Sequence, residues 1–335
     1  MSNAARQLLP SKRFPDTVAP GPRLRVLRAS SRRRMAVVLL PILIVAAGCG
    51  GRTRDGEPQA ADRQGGTPVL DGTGRKVRLP ARPERIISLA PDVTELLFLL
   101  GLEDRIIGVT VHCDWPDQVR RKRRIGTLLN PNYELILSLR PDLVIASTAG
   151  NDQAAVLKLA RLGVPVFVTA PRSVEKIIET VETVGLITET ADRGRQLAAD
   201  MRTRISGLQR RLAGLRPVRA FFITWFEPLL APGRDTFETG VLELAGVELI
   251  SATAPGFYPR YSLEQVIASD PDAVMAVYHS GQPLPDLRQV SGWKSLRAVR
   301  ENRVFILNEV LQHPSPRFLD GLEEMARRLH PERFQ

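Results

Sequence analysis

The stretch YELILSLRPDLVIA, residues 133–146, decides the fold because it recurs 130 residues later as LEQVIASDPDAVMA, residues 263–276. Five of the fourteen positions are identical. Each copy has a glutamate at the start of a short helical run, then Pro-Asp, then a continuous apolar run typical of a strand that is buried on both faces. The chain therefore contains two related α/β units, in which Glu134 and Glu264 occupy equivalent positions.

Runs typical of strands alternate with runs typical of helices around the first copy. The strand runs are RIISL, RIIGVT, LVIA and VFVTA, at residues 85–89, 105–110, 143–146 and 166–170. The predicted helices cover residues 92–100, a segment from Asn132, and residues 153–162 and 173–184. This alternation favours a mainly parallel sheet, preceded by a hairpin at residues 69–79. Asp92, with Glu95 three residues later, is typical of an N-cap, and Gly101 of a helix end.

A second α/β series follows, separated from the first by one long helix. Its strand runs are RAFFIT, DAVMAV and RVFIL, at residues 219–224, 272–277 and 303–307, and its last helix covers residues 316–329. The long helix is predicted at residues 190–213, where apolar residues recur every three or four positions over roughly 36 Å. We therefore predict an α/β fold of two Rossmann-like lobes with mainly parallel sheets, joined by a single long α-helix. The N-terminal lobe covers residues 68–185, the linking helix 186–216, and the C-terminal lobe 217–335.

The first 48 residues have the pattern of a signal peptide. Three arginines precede a run of thirteen apolar residues, MAVVLLPILIVAA at residues 35–47. That run is shorter than the ~20 residues of a membrane-spanning helix. The following VAAGC resembles a bacterial lipobox, so Cys49 is the predicted lipidation site and residues 49–67 form a polar, flexible tether. We expect an extracytoplasmic protein that is lipid-anchored to the cell membrane or periplasmic; general and twin-arginine export both stay open.

Charge excludes nucleic acid as a partner. The net charge is +11, but residues 1–48 hold nine of the basic residues and one acid, which leaves 38 basic and 35 acidic residues in the rest of the chain. So small an excess does not make a phosphate-binding surface, and RRKRR at residues 120–124 is interpreted as a solvated loop.

The order and spacing of these motifs resemble the substrate-binding proteins of bacterial ABC importers for cobalamin and iron complexes. The resemblance covers about residues 69 to 330 and rests on RIISLAPDVTELLFLLGL, IIGVTVHCDWP, IGTLLNPNYELILSLRPDLVIAS and YPRYSLEQVIASDPDAV. It implies a monomer that holds a corrinoid between its lobes and delivers it to an ABC permease dimer. It also implies no catalytic residue, no metal site and no cofactor, since the metal chelate is the ligand. Glu134 and Glu264 are then the permease-docking residues, one on each lobe.

The resemblance also implies which residues line the cleft. His112, Trp225 and Tyr258 stand where cobalamin binders have aromatic side chains, Glu309 where they have an acid, and Leu128 and Ser147 where they have tryptophans. The two missing tryptophans would remove stacking surface for a flat corrin. In the loop HCDWP we expect His112 to form the cleft wall, Cys113 and Asp114 to pack the loop, and Trp115 to be a buried anchor.

Four other functions stay open. A ferric siderophore or haem is the alternative ligand, for which cleft arginines would be suited. A free-metal carrier is less supported, because no two of the four histidines have ligand spacing. A thiol hydrolase that uses Cys113 and His112 lacks any recognisable catalytic signature, and a surface lipoprotein without a ligand would need a filled cleft.

Overall fold

The computed structural model describes residues 67–277 and 284–335. The predicted signal peptide, the lipidation site at Cys49 and the predicted tether up to residue 66 lie outside the described residues. Within the two described ranges, no helix combines the length and apolar character that crossing a membrane requires.

A two-stranded antiparallel hairpin comes first, as predicted. Its strands are β1, Thr67–Leu70, and β2, Lys76–Leu79. The buried carboxylate of Asp71 fixes the turn, because it accepts hydrogen bonds from the backbone of Thr73 at 2.9 Å and of Arg75 at 3.0 Å. The Arg75 guanidinium adds a 2.7 Å contact to the same carboxylate.

The N-terminal lobe is built on four parallel strands in the order β4-β3-β5-β6. The strands are β3 Ile86–Ser88, β4 Ile106–Val109, β5 Leu143–Ser147 and β6 Val166–Thr169. The helices that follow them are α1 Pro91–Leu99, α2 Tyr133–Ser138, α3 Gln153–Arg161 and α4 Val174–Ile187. Short 3-10 helices occupy Glu103–Arg105 and Asp117–Arg121. The long helix α5, Ala191–Leu212, comes next.

The C-terminal lobe is built on a second sheet of four parallel strands, in the order β10-β9-β7-β8. The strands are β7 Val218–Ile223, β8 Val247–Leu249, β9 Ala273–Val277 and β10 Val304–Leu307. The helices are α6 Phe237–Leu244, α7 Leu263–Ser269, α8 Arg297–Arg300 and α9 Phe318–Leu329. Short 3-10 helices occupy Trp293–Ser295, Glu309–Gln312 and Pro331–Arg333. The predicted class, two α/β lobes with parallel sheets, is confirmed; the lobe boundaries at residues 185 and 217 stay a prediction.

The two sheets have the same strand order. If the four strands of each lobe are numbered along the chain, both sheets run second, first, third, fourth from one edge to the other. The repeated Pro-Asp explains part of this match. The Asp142 carboxylate accepts from the Arg85 backbone N–H at 2.9 Å, and the Asp272 carboxylate from that of Arg219 at 3.2 Å. In each lobe the repeat therefore ties the start of the third strand to the start of the first.

Each sheet is buried on both faces, which is why its strands are continuous apolar runs. In β5, Leu143 and Ile145 belong to one large core that also contains residues of α1, α4, α5 and the C-terminal sheet. Val144 and Ala146 point the other way, into a second cluster with α2 and α3. Trp293, which is 3% exposed, belongs to a third cluster behind the C-terminal sheet.

Helix α5 contacts both lobes, as predicted for a linking helix. With 22 residues it is about 33 Å long. Arg202 pairs with Glu182 of α4 at 2.9 Å, and Arg204 contacts Asp320 and Glu323 of α9 at 2.7 and 2.8 Å. The helix therefore bonds to the last helix of the first lobe and to the last helix of the second.

The predicted start of α1 is wrong in an informative way. The helix begins at Pro91, and its N-cap residue, Ala90, provides no side-chain hydrogen bond. Asp92 lies inside the first turn and Glu95 one turn later, and both side chains are buried. The helix ends as predicted, with Gly101 in the left-handed region at φ 73°. Asp92 and Glu95 are thus part of the site described next.

Candidate functional site

The carboxyl ends of the strands mark where a ligand binds in this architecture. In doubly wound sheets the crevice lies where the strand order reverses, which is between β3 and β5 in one lobe and between β7 and β9 in the other. Ser147 is the last residue of β5, and Thr224 and Trp225 follow β7 directly. The predicted cleft residues therefore include positions at both switch points.

Asp92 and Ser147 form a buried pair at the first switch point. The Ser147 hydroxyl donates to Asp92 Oδ2 at 2.6 Å, and the serine is 0% exposed. Burial raises the pKa of Asp92 to about 6, even though the hydrogen bond from Ser147 acts to lower it. Ser147 thus contributes a buried hydrogen bond at this switch point.

Asn151 connects this pair to Leu128. Its side-chain oxygen accepts from the Ser147 backbone N–H at 2.8 Å, and its amide nitrogen donates to the carbonyls of Leu89 at 2.9 Å and Leu128 at 3.0 Å. The Leu128 side chain is half-buried and packs against the large core. Leu128 and Ser147 are therefore held in one place, although the sequence separates them by 19 residues.

The loop after β4 carries His112, whose side chain is exposed. Cys113 beside it is buried, and its sulfur accepts from the Thr94 hydroxyl at 3.1 Å. Burial raises the pKa of the Cys113 thiol, so it stays protonated and packs the loop, as predicted. The guanidinium of Arg124 donates to the carbonyls of Thr110 at 2.9 Å and Cys113 at 2.6 Å. That arginine corrects the interpretation of residues 120–124 as a solvated loop, because one of its members anchors the cleft loop.

Trp115 is half-buried, where a buried anchor was predicted. One face of its indole is covered by a charged group, since the Arg317 guanidinium lies 4.1 Å from the ring centroid. A guanidinium over an indole is a favourable cation–π pair. The loop of the N-terminal lobe therefore touches the segment that precedes α9 in the C-terminal lobe.

The same segment encloses Glu95, and we call Glu95, His313, Ser315 and Arg317 the interlobe cluster. His313 Nδ1 lies 2.9 Å and Arg317 Nη1 3.0 Å from Glu95 Oε1, and the Ser315 hydroxyl donates to Oε2. The Glu95 side chain is 2% exposed. Burial by itself would raise the pKa of Glu95, but the hydrogen bonds and charges of its partners outweigh burial and hold the pKa below its usual value.

His313 responds to the acids around it. Burial by itself would lower the pKa of His313, but the hydrogen bond and charge of Glu95, with the charges of Glu309 and Asp92, raise it above its usual value. The protonated imidazolium is therefore favoured. Glu309 is exposed at the start of a 3-10 helix, so the predicted acidic position acts on this cluster from the solvent side.

The C-terminal wall contains the two predicted aromatic positions. Trp225 is half-buried, its indole N–H donates to the Glu227 carbonyl at 2.8 Å, and its backbone bridges Leu230. Leu230 in turn bridges Arg260, two residues after the half-buried Tyr258. These bridges bring the Trp225 and Tyr258 segments together.

A second buried acid lies in this wall. The Tyr258 hydroxyl donates at 2.8 Å to Glu238, which is 4% exposed in the first turn of α6. Glu238 thus occupies in the C-terminal lobe the place of Asp92 in the N-terminal lobe, at the start of the helix that follows the first strand.

The two predicted docking residues lie at the starts of two short helices, one in each lobe. Glu134 is in the first turn of α2 and Glu264 in the first turn of α7, and both are exposed. Asp92, Glu95, His313 and Arg317 were not predicted as site residues. Two acids one turn apart in an otherwise apolar helix were the available signal, but the same pattern is typical of a helix start. Among the residues that the structure describes, no group of three or more His, Cys, Asp or Glu is placed to hold a metal.

Two lobes with the same doubly wound order, a long helix that contacts both, and polar groups gathered where the lobes meet define a two-lobed binding protein. Residues 86–311 match the model of a protein family that is described as "periplasmic binding protein". The chain belongs to this periplasmic binding protein family.

Three relatives illustrate the family. The vitamin B12-binding protein of Vibrio cholerae is 31% identical over 249 residues, 74% of this chain and 89% of the relative. The crystal structure of this organism's B12-binding protein, BtuF, has a TM-score of 0.67 at 30% identity, covering 76% of this chain and all of that chain. The ABC transporter substrate-binding lipoprotein YvrC of Bacillus subtilis is 26% identical over 307 residues, 89% of this chain and 96% of the relative. The heme-binding protein RhuT of Roseiflexus sp. RS-1 has a TM-score of 0.67 at 25% identity, covering 75% of this chain and 99% of that chain.

The family places this chain among the extracytoplasmic substrate-binding proteins of ABC importers, which is a class of transport proteins and not of enzymes. In this class a molecule such as vitamin B12 or haem is the transported ligand, so no cofactor is indicated.

Proposed function

We propose that this chain is a lipid-anchored extracytoplasmic protein that captures a corrinoid between its lobes and delivers it to an ABC permease dimer without chemical change. The observation that carries the proposal is the 31% identity to a vitamin B12-binding protein over 249 residues, which are 74% of this chain. The anchor is Cys49, and the protein acts as a monomer.

The proposed ligand wall has the chemistry that a corrin requires. Trp225 and Tyr258 are half-buried aromatic side chains of one lobe, and His112 is an exposed imidazole of the other. Flat conjugated rings stack on such side chains. Leu128 adds apolar surface and Glu309 adds a hydrogen-bond acceptor at the solvent edge. Stacking and edge hydrogen bonds together suit a ligand with a flat core and polar substituents.

A ferric siderophore or haem is the second candidate. It is favoured by Leu128 and Ser147, which leave less stacking surface than two tryptophans, and by the similarity to RhuT. Arg260 is exposed beside the Trp225 wall, where a guanidinium can pair with an anionic chelate. A free-metal carrier and a thiol hydrolase have less support, the latter because the Cys113 thiol is buried with a raised pKa.

Docking to the permease is proposed for the two exposed glutamates of the repeat. One turn after each glutamate lies an aliphatic side chain of equal exposure: Leu137 after Glu134 and Ile267 after Glu264, each 39% exposed. A partner with two-fold symmetry presents the same surface twice, and two matched patches of one carboxylate and one aliphatic group suit such a partner.

The deciding experiment is a ligand titration of the protein lacking residues 1–49. Binding is measured by tryptophan fluorescence and by calorimetry. The ligands are cobalamin and cobinamide, then haem and a panel of ferric siderophores. Saturable one-to-one binding of the corrinoids supports the proposal. Binding of an iron chelate with no corrinoid response supports the second candidate, and no binding by any of them refutes both.

A further inference from the structure

The interlobe cluster and the indole of Trp115 form one continuous contact between the lobes. Glu95 belongs to α1, Trp115 to the loop after β4, and Arg317 to the segment before α9. Glu95 and Arg317 are 222 residues apart in sequence. The contact is therefore a product of the tertiary fold, and it stands apart from the linking helix α5.

Separating Glu95 from its hydrogen-bond and charge partners would destabilise the fold. Its side chain is 2% exposed, and a buried carboxylate is stable only while it is paired and hydrogen-bonded. His313, Ser315 and Arg317, all from one five-residue stretch, provide those bonds. The segment before α9 is consequently fixed against α1 in one position.

Arg317 connects the fixed segment to the loop after β4, which carries His112 and Trp115. One NH group of its guanidinium bonds to Glu95 at 3.0 Å, while the carbon of the guanidinium lies over the Trp115 indole, 4.1 Å from the ring centroid. On its other side the loop is anchored by the buried Cys113 and by Arg124. His112 is exposed and lies next to Cys113, so its position depends on how the loop is held.

We propose that Arg317, oriented by Glu95, is a positioning residue for ligand binding: it holds the loop of Trp115 against the C-terminal lobe and thereby sets the position of His112 in the cleft. The role of His112 as a ligand contact rests on the proposed function. The stack of Arg317 on Trp115 is independent of it, so the two are tested separately.

The first test needs no ligand and uses the purified full-length chain. Arg317→Lys keeps a cation beside Glu95 but removes the planar group over Trp115. Arg327→Lys is the matched control, because the Arg327 guanidinium lies 5.8 Å from another ring, that of Phe334.

Acrylamide quenching of tryptophan fluorescence is measured in a Trp225→Phe background, which leaves Trp115 and Trp293. Trp293 is 3% exposed, so acrylamide quenches mainly the fluorescence of Trp115. We expect Arg317→Lys to increase the quenching constant and the control to leave it unchanged. Equal quenching in all three proteins would overturn the proposal, whatever the chain binds.

The second test uses cobalamin, and then haem, as probes of binding. The Kd is measured for the native chain, Arg317→Lys, His112→Ala and the double variant. Loss of a cation–π contact predicts roughly tenfold weaker binding for Arg317→Lys. If Arg317 acts through His112, the same substitution changes the Kd by less than about twofold in the His112→Ala background. An equal loss of affinity in both backgrounds would overturn the coupling between Arg317 and His112. If the native chain binds neither probe, the proposed function is refuted, and the quenching test alone decides the positioning role.

Discussion

Replacing Asp92 by asparagine should make the protein more stable at neutral pH, against the usual effect of a buried substitution. The Asp92 carboxyl is 8% exposed and bonds to Ser147 at 2.6 Å. Its pKa is raised by burial to about 6, from a usual value of 3.8. Asparagine has nearly the same shape, its oxygen still accepts from Ser147, and it cannot ionise.

The sign and size follow from linkage. Because the folded protein binds this proton more tightly than the unfolded chain, stability falls as the pH rises from 3.8 to about 6, and the loss is complete above that range. The gap between these pKa values corresponds to about 3 kcal/mol. Asp92→Asn should therefore raise the free energy of unfolding by up to about 3 kcal/mol at pH 7.5, by roughly half of that at pH 5, and by little at pH 3.8.

The assay is urea unfolding of the native protein and Asp92→Asn at several values between pH 4 and pH 8. Asp114→Asn serves as control, because it makes the same substitution at an exposed carboxylate of the neighbouring loop. A difference between the native protein and Asp92→Asn that is constant over this pH range, or a loss of stability at pH 7.5, would refute the reasoning.

The remaining predictions concern the interlobe cluster, the docking patches and the cleft. Glu95→Gln should destabilise the protein by about 3 kcal/mol at pH 7, since it removes the buried charge that pairs with the half-buried cations His313 and Arg317. Because the folded pKa of Glu95 is lowered, its contribution is present above its usual pKa of 4.5 and is lost as the pH falls through the folded value. The difference in urea unfolding should shrink accordingly below pH 4.5, and a difference that widens there would contradict it. Glu134→Ala combined with Glu264→Ala should abolish cellular uptake with an unchanged Kd, while Glu301→Ala, which removes an exposed glutamate outside the repeat, should do neither; a large rise in Kd would contradict the docking role. His112→Ala should weaken corrinoid binding in calorimetry by roughly tenfold through lost stacking, and an unchanged Kd would remove it from the cleft wall.

The sheets and helices were predictable where the pattern is local. Leu143 and Ile145 face one side of the sheet, and Val144 and Ala146 face the other. All four are apolar, so the continuous apolar run predicts a strand that is buried on both faces. The long helix was recognisable from its apolar spacing, and its ends differ by one residue from the prediction. Strand β8 was missed, because its three residues, Val-Glu-Leu, form no continuous apolar run.

The site was predictable only in outline. The resemblance indicated His112 and Trp225, which follow β4 and β7 within three residues, and Tyr258, whose segment is bridged to that of Trp225; their ligand roles stay predictions. The acids of α1 were assigned to a helix cap, because an acid in a first turn is favourable in almost any helix. Their partners lie on strand β5 and in the segment before α9, and the local sequence contains no sign of either.

By itself the sequence determined the class of the protein: a repeat with an offset of 130 residues, parallel strands marked by apolar runs, and a long amphipathic helix between two halves. These features come from periodicity, and periodicity is read within one element. Only the tertiary structure decided that Glu95 meets Arg317 and that Arg317 covers Trp115. The physical reason is that the state of a buried charge depends on groups that the chain brings together from 222 residues away, and such pairing leaves no local pattern.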